Sequence, residues 1–386
     1  MPENLRSLFL LDPEAIYLNH GSYGACPRPV FETYQQWQRE LERQPLEFLD
    51  RRITHLMVEA RIALAEMLNC AADEIVYFPN PTTAINMVAR SLRLGSGDEI
   101  LSTDHEYGAM DRTWRFICAK TGARYVHHPI PLPVETPEAF IETLWQGFNA
   151  RTKVVFISHI TSPTALTFPV QEICRRAREA GVLNIVDGAH TPGHIPLDLT
   201  ALGADIYTGA CHKWLCAPKG TAFLYTRREM QHLLEPLVVS WGWEANEPSA
   251  SQYIDHHEWQ GTRDPSAFLT VPAAIAFQHQ HDWDLVRQRC HQLACQTRER
   301  IQALTDLPPI CPEDDGWFNQ MFAARLPEVD PNALQQRLLE EFHIEVIVRF
   351  WNDQPLIRVC FQGYNDTSDA EALIDALRIL LPQMSL

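Results

Sequence analysis

The chain has 386 residues, 46% of them hydrophobic, with 32 basic against 49 acidic side chains and a net charge of −17. That length fits two domains rather than one small core, and the acidic balance repels phosphate backbones and anionic lipid, so neither nucleic acid nor a membrane surface is an expected partner. The early apolar run Leu8 to Leu11 is too short for a signal peptide and no run is long enough to span a bilayer, while the ten cysteines include no C-x-x-C pair, so the chain reads as soluble and cytoplasmic with reduced structural thiols.

In chain order, residues 1–20 form an N-terminal segment expected to pack with the smaller domain. Strand-like runs follow at Glu74 to Phe78, Glu99 to Thr103, Lys153 to Ser158, Leu183 to Asp187, Asp205 to Thr208 and Thr221 to Tyr225. They alternate with helical patterns such as Thr82 to Ser91 and Pro169 to Ala180. This alternation is the signature of βαβ units, so residues 21–255 are expected to form a large α/β domain around a mostly parallel sheet. After Asp264-Pro265 comes a long helical stretch to about Thr305 and a Pro-rich break at Leu307 to Pro312. Strand (Asn319 to Arg325), helix (Pro331 to Phe342), two strands (Glu345 to Phe350, Leu356 to Phe361) and a helix from Ser368 complete the chain. Such a set suits a smaller α+β domain, residues 256–386.

The candidate chemistry falls at strand ends. The run Phe78-Pro-Asn-Pro-Thr-Thr-Ala-Ile-Asn86 reads as strand, turn and helix, so Thr82 and Thr83 offer hydroxyls and free N–H groups at a helix N-terminus, a seat for a phosphate dianion. Further on, I-V-D-G-A-H and T-G-A-C-H-K-W place Asp187 and Lys213 at neighbouring strand ends of a parallel sheet, where α/β enzymes bind ligands. That pair is what pyridoxal 5'-phosphate (PLP) requires: a lysine to form an imine and a carboxylate to keep the pyridine nitrogen protonated. Trp214, Leu215 and the A-P-K-G turn should desolvate the lysine and lower its pKa. His190 is placed to reach the cofactor's phenolic oxygen or to sit as a core histidine, and His212 could add a phosphate contact.

Arg358, a charge within I-R-V-C-F, suits bidentate capture of an α-carboxylate, or else a structural ion pair. The histidines at 256, 257, 279 and 281 read as solvated faces, with no metal site expected. Trp241, Trp243, Phe350, Trp351, Arg349 and Arg263 are candidates for a side-chain pocket or for interface packing.

These motifs together resemble the class V, fold-type I PLP enzymes, and within them the isopenicillin N epimerase-like branch. The likeness runs through Y-L-N-H-G-S-Y-G (17–24), N-P-T-T-A-I-N (80–86), T-D-H-E-Y (103–107), S-H-I-T-S (158–162), V-D-G-A-H (186–190), C-H-K-W-L-C-A-P-K-G (211–220), W-Q-G-T-R-D (259–264) and I-R-V-C-F-Q-G-Y-N (357–365). The resemblance implies a large domain with a mostly parallel seven-stranded sheet and a smaller α+β domain. It implies that Lys213 forms the internal imine, Asp187 pairs with the ring nitrogen, His190 approaches the phenolic oxygen and Tyr107 stacks on the cofactor. Thr82, Thr83 and His212 would contact the phosphate, and Arg358, with Ser162, would face the substrate. Gly261 and Thr262 would reach the cofactor of a second subunit, which implies a homodimer with shared sites.

Two departures stand out. The stretch Val348 to Pro355 has no cysteine where related desulfurases carry a nucleophilic one, which disfavours persulfide formation, and Ala210 stands where many relatives have a phosphate-binding hydroxyl, a contact Thr208 could supply. The expected activity is proton abstraction from the α-carbon of an amino acid by Lys213, followed by epimerisation, with Ser22 or Tyr23 as second-face acid. The alternatives are β-elimination by a C–S lyase and transamination. An NAD enzyme is disfavoured because no G-x-G-x-x-G turn follows the early strands.

Overall fold

A computed structural model describes residues 4–313 and 316–384. The strands in chain order are β1 (Ile16–Tyr17), β2 (Ile75–Phe78), β3 (Glu99–Thr103), β4 (Arg124–His128), β5 (Thr152–Ser158), β6 (Leu183–Gly188), β7 (Ile206–Ala210), β8 (Ala222–Thr226), β9 (Met321–Arg325), β10 (Ile344–Glu345), β11 (Ile347–Trp351) and β12 (Gln354–Cys360). Seven of them form one sheet in the order β2-β8-β7-β6-β5-β3-β4. Only β8 runs against its neighbours, so the C-terminal ends of the other six lie along one edge. The fold is the mostly parallel α/β arrangement that the alternating pattern predicts.

The central strands are apolar on both faces because helices cover both. Val186 packs into a core with Leu64, Val155 and Ile173, while its neighbour Ile185 faces a second core with Val88, Trp114 and Phe156. Helix Val170–Glu179 shows how the sequence sets this up: Val170, Ile173, Cys174 and Ala177 make one buried stripe, and Glu172, Arg175 and Glu179 pair on the other face. Each strand read from the sequence is present with its ends moved by a residue or two. Strand β4 was not anticipated, because Arg-Tyr-Val-His-His lies at the sheet edge, half-exposed, and carries no apolar run.

The long helical stretch after Asp264-Pro265 is three helices, Ser266–Leu269, Val271–Gln280 and Trp283–Thr305. Pro272 opens the second, and Asp282, in the left-handed region, precedes the third. The first two pack on helices Arg28–Arg43 and Ile53–Leu68, and the third covers the antiparallel sheet β11-β12-β9. The strand expected over Glu345 to Phe350 divides at Val346 into β10, which pairs in parallel with β1, and β11, which pairs with β12.

The N-terminal segment is thereby fixed to the C-terminal sheet: Leu18 donates to Glu345 O and its own carbonyl accepts from Cys360, each at 2.9 Å. The chain then turns at Gly24, whose φ of 69° and close approach leave no room for a side chain. A Cβ there would lie 2.2 Å from His212 O and 2.9 Å from Lys213 Cα. Gly24→Ala is expected to cost about 1–3 kcal/mol, measured as a shift in the urea midpoint; an unchanged midpoint would show that this loop does not press on the Lys213 turn.

Candidate active site

Five strand ends meet around a cavity of about 190 Å³. Strand β6 ends at Asp187, β5 at Ser158, β3 leads to Tyr107, β2 to Thr82, and β7 to His212 and Lys213, and all of these line the cavity. A larger groove of about 640 Å³ lies elsewhere, between charged side chains of 171–179 and residues 201–203, and contains none of these groups. The lysine is presented by a closed turn: Ala217 N–H bonds Cys211 O at 3.0 Å, Cys216 N–H bonds Lys213 O at 3.0 Å, and Cys216 sits at φ 63°.

The electrostatics are those of a dry pocket. Burial, then the Arg358 charge, lowers the Lys213 amine from 10.5 to about 8, with Asp187 pulling the other way. Burial raises Asp187, countered by the Ala189 N–H at 3.0 Å and by Lys213. Lys213 Nζ lies 3.3 Å from His190 Nε2. Trp214 Nε1–H donates to His190 Nδ1 at 3.4 Å, so the imidazole hydrogen sits on Nε2 and faces the cavity. Burial and Lys213 hold His190 well below its ordinary value, so it stands as a neutral donor. Trp214 is stacked on His194 with centroids 3.8 Å apart, which fixes both rings.

At the phosphate seat the helix Pro81–Ser91 is capped by Asn80, which the sequence reading passed over. Its Oδ1 accepts from Thr83 N at 2.8 Å and from Thr83 Oγ1 at 3.0 Å. Thr83 is therefore committed to the cap, while Thr82 lines the cavity. His212 also lines it, with Nδ1 fixed 2.8 Å from Thr221 O. Thr208 cannot replace the hydroxyl absent at Ala210, because its own is given to Phe223 O at 2.8 Å.

Among the described residues no carboxylate pairs with buried Arg358, which sets aside the structural ion pair there. One terminal nitrogen donates to Ser162 O at 2.7 Å and Ser162 Oγ at 3.2 Å, the other to Ser22 Oγ at 2.9 Å and Asn19 Oδ1 at 3.4 Å. Ser22 in turn donates to Asn19 Oδ1 at 2.6 Å. Ser22 and Ser162 thus orient the guanidinium, and Ser22 has no free hydrogen to serve as a second-face acid. Tyr23 stays at the mouth, 72% exposed, with Tyr107. Arg349 joins this side: Ile347 is opposite Arg358 and Arg349 two residues on, so both arginines project from one face. Burial, then Arg358, lowers Arg349 to about 10, and Tyr107 and Tyr23 are within its electrostatic reach.

Other expected groups lie elsewhere. Gly261 has no atom near its Cβ position and, like Thr262, is not on the cavity wall. Trp241 is 84% exposed and Trp243 packs on His256. Phe350 is exposed, Trp351 bonds Asp104 O at 3.3 Å, and Arg263 stacks over Phe268 while bonding Glu258 O at 2.8 Å. His257 packs on Tyr253 and His281 on Phe277. Asn19, Asn80, Glu106 and Ser158 all fall inside the motifs of the resemblance, but no role was assigned to them there.

The donor set fits PLP on its own terms. A buried carboxylate with one N–H partner calls for a cation such as a protonated ring nitrogen, a desolvated amine faces it, and Thr82 stands at a helix N-terminus. In protein free of the cofactor the Lys213 ammonium is unfavourable below about 8, and that penalty fades as pH rises to 10.5. Lys213→Met is expected to raise stability by about 2 kcal/mol at neutral pH, the gain vanishing in strong alkali. Urea denaturation across pH checks this, and a pH-independent difference would contradict it.

Comparison with known proteins agrees. The family model described as Aminotransferase class-V matches residues 16–373. The chain is 37% identical to isopenicillin N epimerase of Amycolatopsis lactamdurans and 34% to that of Streptomyces clavuligerus, covering 98% of each chain in both cases. It is 28% identical to putative L-cysteine desulfhydrase 1 of Oryza sativa subsp. japonica, over 94% of this chain and 83% of that one. Among solved structures, an apo cysteine desulfurase of Thermococcus onnurineus NA1 superposes with a TM-score of 0.85 at 20% identity, covering 100% and 99%. A C-DES mutant with glycine covalently linked to its PLP cofactor gives 0.83 at 24%, covering 98% and 99%. The chain belongs to the class-V aminotransferase family, in its isopenicillin N epimerase-like branch, and is a PLP-dependent enzyme.

Proposed function

We propose that the enzyme inverts the α-carbon of an amino acid that carries a second acidic group at the far end of its side chain. The observation that carries this is the pair Arg358 and Arg349 on one face, Arg358 within electrostatic reach of Lys213 and Arg349 of His190, neither with a carboxylate within ion-pair distance among the described residues, and each with a buried Nε lacking a hydrogen-bond partner. Arg358 takes the α-carboxylate in bidentate fashion, because its neutral holders leave its charge free. Arg349 is left for the distal acid. With the α-carboxylate fixed, Lys213 Nζ removes the α-proton, its lowered pKa keeping more of the amine in the unprotonated form that can accept it. When bound, PLP supplies the electron sink, Asp187 holding its ring nitrogen protonated. His190 Nε2–H would be the donor to the cofactor's phenolic oxygen, and Thr82 and His212 would hold its phosphate. Tyr23 Oη is the group left to return a proton from the opposite face.

A second reading, C–S lyase, is favoured by the commitment of Ser22, since elimination of a β-sulfur needs no second-face acid. Transamination begins from the same proton transfer. The protein is read as a cytoplasmic homodimer: no described helix is long and apolar enough to cross a membrane, the ten cysteines are unpaired, and Val239 and Trp241 expose apolar surface on the segment before Gly261 and Thr262.

The deciding experiment incubates the enzyme with α-deuterated amino acids. Loss of deuterium with inversion supports epimerisation, release of pyruvate with a thiol supports the lyase, and a keto acid without sulfur loss supports transamination. Arg349→Met is expected to raise KM for a substrate with a distal carboxylate by about 10–100-fold and to leave its amide analogue within about twofold; equal losses for both would remove Arg349 from substrate recognition.

A further inference from the structure

Glu106 is a buried carboxyl that the reaction above does not use. It follows β3 and immediately precedes Tyr107 on the cavity wall. Thr103 Oγ1 donates to its Oε1 at 2.8 Å, and its Oε2 lies 2.6 Å from Ser158 Oγ. The charged and titratable groups that face it come from three elements: Asp187 at the end of β6, Asp111 on helix Gly108–Thr121, and Tyr125 on β4. None is a cation. Asp111 is paired outward with His127 at 3.0 Å, and His105, the preceding residue, turns away to Thr164 and Ile130 O.

The hydrogen bonds have a direction. Thr103 Oγ1 accepts from His105 N–H at 3.2 Å, so its own hydrogen is given to Glu106 Oε1. A proton on the carboxyl therefore sits on Oε2 and is donated to Ser158 Oγ. Ser158 is in register with Asp187 on the next strand, and both line the cavity. Two carboxyls thus stand one strand apart in a desolvated wall, where a single negative charge is favoured over two. Asp187 receives a backbone N–H and faces Lys213, whereas Glu106 has only hydroxyl partners, both satisfied by a neutral acid.

We propose that Glu106 is a positioning residue held as a neutral acid, which turns the Ser158 hydroxyl into the cavity as a donor and leaves Asp187 as the only anion on that wall. Ionisation of Glu106 draws the Ser158 hydrogen back and sets a second negative charge beside Asp187. Burial pushes its carboxyl up to about 8, which places the change in mild alkali. The cavity arm of this proposal rests on the PLP reading; the protonation of Glu106 does not.

Glu106→Gln is the matched test, because its amide oxygen can take the Thr103 hydrogen and its NH2 can donate to Ser158, as the neutral acid does. In cofactor-free protein the contribution of Glu106 is fully present below 4.5 and lost as pH rises through about 8. The variant should therefore match wild type near the lower value and gain on it steadily up to the higher; a gap that stays flat across that range overturns the neutral acid. With PLP bound, wild type should show a step in cofactor absorbance near pH 8 that Glu106→Gln lacks and that Ser158→Ala reduces without abolishing, because the charge beside Asp187 still appears. Glu106→Gln should hold PLP within about twofold of wild type at neutral pH. A shifted spectrum or affinity of Glu106→Gln already at neutral pH, or a step that survives in Glu106→Gln, overturns the proposal. Wild type that takes up no PLP overturns the cofactor reading and the cavity arm together, while the cofactor-free titration still judges Glu106.

Discussion

Everything at this site follows from confining charges where water cannot screen them. Lys213, Asp187 and Arg358 are buried at strand ends, and each is stabilised only by what the fold supplies. The amine loses basicity, the carboxylate needs a positive partner, and the guanidinium keeps an unanswered charge because its neighbours are two serines, an asparagine and a carbonyl. A cofactor with a cationic ring nitrogen and an anionic phosphate, and a substrate with a carboxylate, complete that set. The cost of assembling the charges is carried by the sheet, whose both faces are covered and whose six C-terminal ends share one edge.

The fold was legible where residue patterns report burial. Short strand-like runs marked β2, β3, β5, β6, β7 and β8, and Asp187 and Lys213 could be placed because one lies at the end of such a run and the other in the turn that follows the next. Edge strand β4 was not legible, since a strand that buries one side and lies at the margin has no compulsory pattern. The boundary of helices within 266–305 was blurred for a related reason: Pro272 is tolerated at a helix start, so it divides a helical stretch without leaving a polar gap.

The site was legible by residue type and less so by role. Arg358 was recognisable as an anomalous charge in an apolar strand, but its holders come from positions 19, 22 and 162, and no local spacing announces that. Ser22 and Ser162 line the cavity and also hold the arginine. Thr83 was expected at the phosphate and instead completes the Asn80 cap. In each case a polar side chain near the cavity had a nearer partner, which only three-dimensional proximity reveals. Arg349 became informative through strand register, since pairing with Leu356 puts it on the Arg358 face.

The joining of Asn19, Ser22, Ser162 and Arg358 also has a consequence for synthesis. Lys213, Asp187 and the cap at Asn80 all precede the C-terminal sheet in the chain, so the half of the site that suits the vitamin B6 ring can form while the ribosome is still extending the polypeptide. The arginine that suits a carboxylate is added later, on a strand that then bonds Leu18 and Asn19. The residues that suit the coenzyme thus all come earlier in the chain than the arginine that suits a carboxylate.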